Sequence, residues 1–166
     1  MLKRGFRLAA VLVAVLGLVG AACTVPRSQS QASNGCTTGV SSPTGPSVIA
    51  ASYGPSNSHL ADIYPACTAT AVGTIMYIHG GGYTGGYRAE GNWPDIRRLR
   101  DLGWVVVSID YRLAPANGYP AQVNDAELAI NWWRGGAAAS YGATVAPLVG
   151  AGWSAGSQIA DFTAVE

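Results

Sequence analysis

From residue 48 onward the chain alternates between short, almost wholly apolar runs and longer stretches where apolar and polar positions mix. Gly73–Ile78 and Trp104–Ile109 are apolar at consecutive positions, so both faces of each would be buried, as in the inner strands of a parallel sheet. Runs 48–53, Leu60–Tyr64 and 147–151 read as three more strands, the first two forming an edge hairpin. Helices are predicted over 93–102, 123–134 and 157–165. The first has Pro94 in its opening turn and Gly103 at its end, and Gly135-Gly136 stops the second. Strands alternating with helices specify an α/β fold, a mostly parallel sheet with helices on both faces. Ligands in such sheets sit at the carboxyl ends of the strands.

The first 47 residues follow a different rule. Met1 to Arg7 is basic and residues 8–22 are apolar without a break, too few to span a bilayer comfortably, so 1–22 reads as a secretory signal peptide. Val19-Gly20-Ala21-Ala22-Cys23 also fits a lipoprotein signal, in which Cys23 is the lipidation candidate; cleavage after Ala22 with release is the other outcome. Residues 23–47 are rich in Ser, Thr, Gly, Gln and Pro with no apolar period, a flexible linker. The expected location is outside the cytoplasm, as a cell-envelope lipoprotein or a secreted protein, with membrane contact only through the signal or a lipid anchor. Export makes Cys36 and Cys67 a possible disulfide, against two independent thiols.

Losing Lys3, Arg4 and Arg7 leaves seven of the ten basic residues against nine acidic ones, a formal charge of −2. With no basic stripe, a nucleic-acid partner is not expected. The two histidines lie apart and no carboxylate pair has ligand spacing, so no metal is expected. Gly80-Gly81-Gly82 lacks the lysine of a phosphate loop, and no cofactor is expected. The oligomeric state is left open.

Two motifs carry chemistry. Gly152-Trp153-Ser154-Ala155-Gly156 lies between a predicted strand and a predicted helix, the setting of a nucleophile elbow, whose tight turn needs small residues around the serine. In a glycine-rich chain chance supplies such a pentapeptide in roughly one sequence in five, so it decides little alone. His79-Gly80-Gly81-Gly82 follows the strand Gly73–Ile78 and is expected by chance in roughly one such sequence in two hundred. Consecutive glycines let backbone N–H groups turn toward a bound oxygen, and in acyl transfer that oxygen is the anion of a tetrahedral intermediate. Both motifs fall at carboxyl ends of predicted strands.

Together with Asp110-Tyr111-Arg112-Leu113-Ala114-Pro115 and Tyr119-Pro120-Ala121-Gln122-Val123-Asn124-Asp125-Ala126, these motifs resemble the α/β-hydrolase superfamily. Within it the chain is most similar to carboxylesterases of the hormone-sensitive-lipase-like and feruloyl-esterase-like groups, over residues 53–165. It departs from them at Ala116, where they often carry Glu, and at Trp153, where they often carry Asp or His. The resemblance implies a serine hydrolase that cleaves a small-molecule carboxylic ester through an acyl-enzyme on Ser154. It also implies an oxyanion hole from the backbone N–H groups of Gly81, Gly82 and Ala155. His79 would fix the loop rather than act as base, with Gly80, Gly152 and Gly156 completing the motifs.

In this fold the triad runs Ser, acid, His, yet after Ser154 come only Asp161 and Glu166, and no histidine. The family's sheet is wider than the five strands predicted here. Residues 48–166 are therefore expected to be a partial domain without its C-terminal strands and triad Asp and His. The strand under Ser154 would be an exposed edge, and the polypeptide alone poorly soluble and inactive. Two alternatives stand beside the esterase: a catalytically silent, membrane-tethered binding module on the same scaffold, or a non-functional remnant. Among other residues, His59 is expected to be solvated and Asp125 to favour the dipole of the second helix from its first turn. Asp110 and Arg112 are expected to pair with backbone or each other, Trp132 and Trp133 to pack the helix, and Tyr83 and Tyr87 to wall an acyl pocket.

Overall fold

The computed structural model describes residues 48–88 and 94–163. The chain divides into two units, Met1–Gln31 and Ala32–Glu166, and every described residue belongs to the second. Residues 1–22 and 23–47, expected to be a signal peptide and a linker, lie outside the described residues with Cys23 and Cys36, and so does Glu166.

All five predicted strands form: β1 (Val48–Ser52), β2 (Leu60–Tyr64), β3 (Gly73–Ile78), β4 (Trp104–Ile109) and β5 (Leu148–Gly152). They make one sheet in the order β1-β2-β4-β3-β5. β3 lies parallel to both β4 and β5, the pairing expected of strands joined through helices. β1 and β2, with no helix between them, form an antiparallel hairpin, and β2 runs antiparallel to β4, so the sheet is mixed.

Helix α1 (Pro94–Asp101) packs on one face, through Ile96 against Tyr64, Ile75, Tyr77 and Val106. Helices α2 (Ala121–Trp132) and α4 (Ala155–Thr163) share the other face. There Ala126, Ala129, Ile159 and Ala160 meet Met76, Ile78, Val105, Val107 and Ile109. The alternation of Ile75 and Tyr77 with Met76 and Ile78 shows β3 buried on both sides, which is why its sequence reads as an unbroken apolar run. Each fully buried Ile or Val contributes about 1.5–3 kcal/mol relative to exposure.

Helix α2 does not stop cleanly at the glycine pair. It passes into a wide turn, Trp133–Ala137, and then one further turn, α3 (Ala138–Ser140). Trp133 explains the extension: it is fully buried, and its indole N–H donates to Thr74 Oγ1 at 3.1 Å, fastening the turn to β3. β5 is the last strand of the described sheet, hydrogen-bonded only to β3, with Val149 43% exposed. Cys67 is buried and disulfide-bonded.

Candidate active site

Only Trp153 and Ser154 separate β5 from α4, so the chain reverses in two residues. Ser154 takes φ = 54°, a left-handed backbone that a non-glycine residue adopts at a cost of about 1–2 kcal/mol. Its side chain is exposed, while its carbonyl accepts the Ser157 hydroxyl at 2.7 Å and the Ser157 N–H at 3.1 Å. The turn is possible because Gly156 has no side chain. A Cβ there would lie 2.1 Å from the Ile78 carbonyl oxygen at the end of β3. The end of β5 and the start of α4 thus press directly on the β3 backbone.

The glycine loop begins where that contact ends. His79 and Gly80 are buried and Gly81 and Gly82 exposed. Gly81 holds φ = 112°, and a Cβ on it would meet the Gly85 carbonyl oxygen at 2.2 Å. That carbonyl contact closes a tight turn, in which the Gly81 oxygen accepts the N–H groups of Thr84 and Gly85, both at 3.1 Å. The N–H groups of Gly81, Gly82 and Ala155 donate to no other backbone group among the described residues. Gly80 backs onto Trp153, whose ring would stand 2.8 Å from a Cβ at Gly80, so the two loops touch.

Residues 75–166, more than half of the chain, match the family described as alpha/beta hydrolase fold. The chain belongs to that family. Carboxylesterase NlhH of Mycobacterium tuberculosis is 39% identical over 88 residues, which cover 51% of this chain and 26% of that protein. The probable carboxylic ester hydrolase LipM of the same organism is 31% identical over 116 residues, 68% of this chain and 26% of that one. Among solved structures, a truncated form of a carbohydrate esterase from gut microbiota superposes with a TM-score of 0.65 at 26% identity, covering 71% of this chain and 45% of that one. A bacterial heroin esterase gives a TM-score of 0.57 at 32% identity, with coverage of 70% and 37%. This α/β-hydrolase chain spans about a quarter of the length of the two curated relatives.

Both histidines have partners other than Ser154. His79 is buried, its Nδ1 lies 2.7 Å from the Gly80 carbonyl oxygen, and its ring stacks on Tyr111 at 4.2 Å. A carbonyl only accepts, so that nitrogen carries the proton. The Tyr111 hydroxyl in turn donates to the His79 carbonyl at 3.0 Å, which makes the pair a floor under the glycine loop.

His59, expected in solvent, is instead buried at 4% exposure. Its Nδ1 accepts the Ser56 N–H at 3.1 Å, and its Nε2 lies 3.0 Å from Asp125 Oδ1. Two features drew it inward: Tyr53 stacks on it at 5.0 Å, and Gly54 leaves the ring its space.

Asp125 also departs from expectation. It lies in the second turn of α2 with its carboxylate 1% exposed, accepting the Arg112 N–H at 2.9 Å and Arg112 Nη2 at 2.6 Å. Burial works against this charge, but the bonds from Arg112 and His59 outweigh it and hold the Asp125 carboxyl below its ordinary range. Asp110 meets backbone as expected, its Oδ1 accepting the Arg88 N–H, but it pairs with the Arg88 guanidinium rather than with Arg112, and Arg88 Nε also reaches Asp62 at 2.8 Å. Trp132 and Trp133 pack the helix as expected, their rings 5.7 Å apart. Tyr83, at φ = 65°, sends its hydroxyl to Gln158 Oε1 on α4, while the Tyr83 carbonyl accepts the Ala114 N–H at 2.8 Å. Tyr87 is 54% exposed.

Proposed function

We propose that this chain carries the nucleophile and the oxyanion-binding loop of a serine hydrolase acting on carboxylic esters. The observation that carries the reading is the left-handed, exposed Ser154 beside Gly81 and Gly82, whose N–H groups donate to no other backbone group among the described residues. Carboxylesterase and carboxylic ester hydrolase names among the relatives support it. Ser154 Oγ attacks the ester carbonyl carbon, and the carbonyl oxygen becomes an anion that accepts from the N–H groups of Gly81, Gly82 and Ala155. The alkoxide leaves with a proton, and water then releases the acid from the acyl-serine. Losing one oxyanion donor typically costs about 3 kcal/mol of barrier. Ser154 needs a base to lose its proton, and among the described residues His59 and His79 are engaged elsewhere, with Asp125 and the Gly80 carbonyl.

With p-nitrophenyl acetate the natural protein is expected to release nitrophenol with an initial burst. Ser154→Ala is expected to lower kcat by about four orders of magnitude or more, and equal rates would remove Ser154 from the mechanism.

The occupied histidines also favour a second reading, a silent binding module on the hydrolase scaffold. A fluorophosphonate probe separates the two, because it labels an activated serine in the natural protein and leaves a silent one untouched. Export with lipidation at Cys23 is part of the proposal, motivated by the basic and apolar residues 1–22. The mass of the mature N-terminus tests it: an acylated Cys23 supports the anchor, and an unmodified end rejects it.

A further inference from the structure

At the end of the sheet opposite Ser154, three aliphatic side chains stand in water. Val72, Leu102 and Val145 precede β3, β4 and β5 by one, two and three residues. They are 50%, 59% and 37% exposed. β4, β3 and β5 are neighbours and run parallel, so the three form a row about 10 Å long at the amino ends of the strands. Backbone ties hold the row in place. The Val72 N–H donates to the Gly103 carbonyl at 2.8 Å, and the Thr74 hydroxyl donates to the Thr144 carbonyl at 2.8 Å. No residue of the proposed reaction lies here, and an apolar row left open to water marks a surface that meets an apolar partner.

Charge narrows the partner. On one face of the sheet α1 ends at the row: the Leu102 N–H donates to the Arg98 carbonyl at 3.0 Å, and Arg97 and Arg98 are both exposed. On the other face Arg134 is exposed just past α2, whose end Trp133 fastens to Thr74 near the start of β3. The acidic residues of this end, among those described, are the half-buried Asp101 and Asp161 in the last turn of α4. An aliphatic row with guanidinium groups on both sides suits an anionic bilayer, with apolar tips at headgroup depth and arginines on the phosphates.

The chain's leading residues arrive at the same end. β1 and β4 are both antiparallel to β2, so β1 runs the same way as β4 and is entered from its amino end. Cys67, three residues past β2 and disulfide-bonded, lies at this end too, its N–H donating to the Arg100 carbonyl at 2.9 Å. The chain's other cysteines, Cys23 and Cys36, both precede β1.

We propose that the amino end of the sheet docks on an anionic phospholipid bilayer, through Val72, Leu102 and Val145 and the flanking arginines. The six-residue strand β3 then holds the glycine loop about 20 Å from the lipid, and Ser154 opens away from it. The surface does not depend on ester hydrolysis, and it rests on the export reading only in that the protein meets a membrane.

Vesicle flotation tests this with the natural protein prepared from residue 24, so that neither a signal nor an acyl group can hold it to lipid. Vesicles of phosphatidylglycerol and phosphatidylcholine, one to three, are expected to float the protein, and pure phosphatidylcholine to leave it behind. Half-molar salt should release most of it. Arg97→Gln with Arg98→Gln is expected to weaken binding about 20-fold, at about fivefold for each arginine. Leu102→Ser and Val72→Ser should each weaken it about fivefold, and Leu102→Phe should bind at least as well as the parent. These side chains are exposed, so thermal unfolding should not move. Tyr119→Ser, at the Ser154 end, should float like the parent. Equal flotation on both vesicles, flotation on neither, or binding that ignores the arginine and Leu102 variants overturns the surface. So does binding lost in Tyr119→Ser but kept in Leu102→Ser, which puts the lipid at the wrong end. A dimer that Leu102→Ser dissociates, with no flotation, overturns it in favour of a second copy of the chain. The other readings are scored apart: an unmodified Cys23 rejects the anchor, and failure to cleave p-nitrophenyl acetate rejects the esterase, while flotation stands in either case.

Discussion

The two flanks of the sheet are held together by opposite means. On the β1-β2-β4 flank, buried and partly buried charges do the fastening: Arg88 bridges Asp62 and Asp110, and Asp125 gathers Arg112 and His59. On the β3-β5 flank, where Ser154 sits, the joints are backbone against backbone, and glycine is present because nothing larger fits. Ion pairs tolerate small shifts, since a long side chain can follow its partner. Backbone contact tolerates none. Ser154 is thus placed by the stiffer method, and the loops behind it by the more forgiving one.

The hardest blow to this contrast is Gly156→Val, which drives carbon into the Ile78 carbonyl. It is expected to lower stability by about 3 kcal/mol in denaturant melts. In the natural protein kcat/KM should also fall by about 100-fold, because the serine is displaced. A variant that melts and turns over like the parent would end the claim that this joint is rigid.

Asp125→Asn strikes the other flank. It leaves His59 and Arg112 with a weaker partner and is expected to cost about 2 kcal/mol, toward the low end because Arg112 is 34% exposed. Its effect on acyl transfer should be small. If it instead abolished activity and left stability alone, the division between the flanks would be wrong.

Acid sharpens the same point. The Asp125 carboxyl is held below its ordinary value in the fold, so its contribution is complete above about pH 4 and drains away as pH falls through the lower folded value. The stability gap between the parent and Asp125→Asn should be constant from about pH 7 to 5 and close below about pH 4. A gap that widens in acid would reverse the sign and reject the pairing.

The smallest effect is a gain. Ser154→Gly removes the penalty of φ = 54° and is expected to raise stability by about 1 kcal/mol while ending any catalysis. A loss of stability would mean the serine is not strained.

What the sequence shows plainly follows the same division. β2, β3 and β4 have the boundaries read from their apolar runs, because burial on both faces leaves a continuous signal. The elbow and the glycine loop were legible because their glycines answer to local backbone demands. The charge partners were not. Arg88 meets Asp62 and Asp110 across 26 and 22 residues, a choice made only once β2 and β4 lie side by side. His59 sits among Ser and Asn and reads as solvent-facing, yet it meets Asp125 across the fold and is sealed by Tyr53, a relation no local pattern carries. Tyr119 and Phe162 were equally silent, since nothing in their neighbourhoods hints that two exposed rings converge.

The Ile78 carbonyl, wedged beneath Gly156, has a mechanical consequence. Strand end, glycine loop and the Trp153-Ser154 turn behave as one casting rather than three hinged parts, so there is little play between Ser154 and the N–H groups of Gly81 and Gly82. Backbone order parameters at Gly81 and Ser154 should then be alike and high, and a ligand that tightens one should tighten both. Under the proposed reaction this amounts to alignment built in at folding rather than recruited by the substrate on arrival.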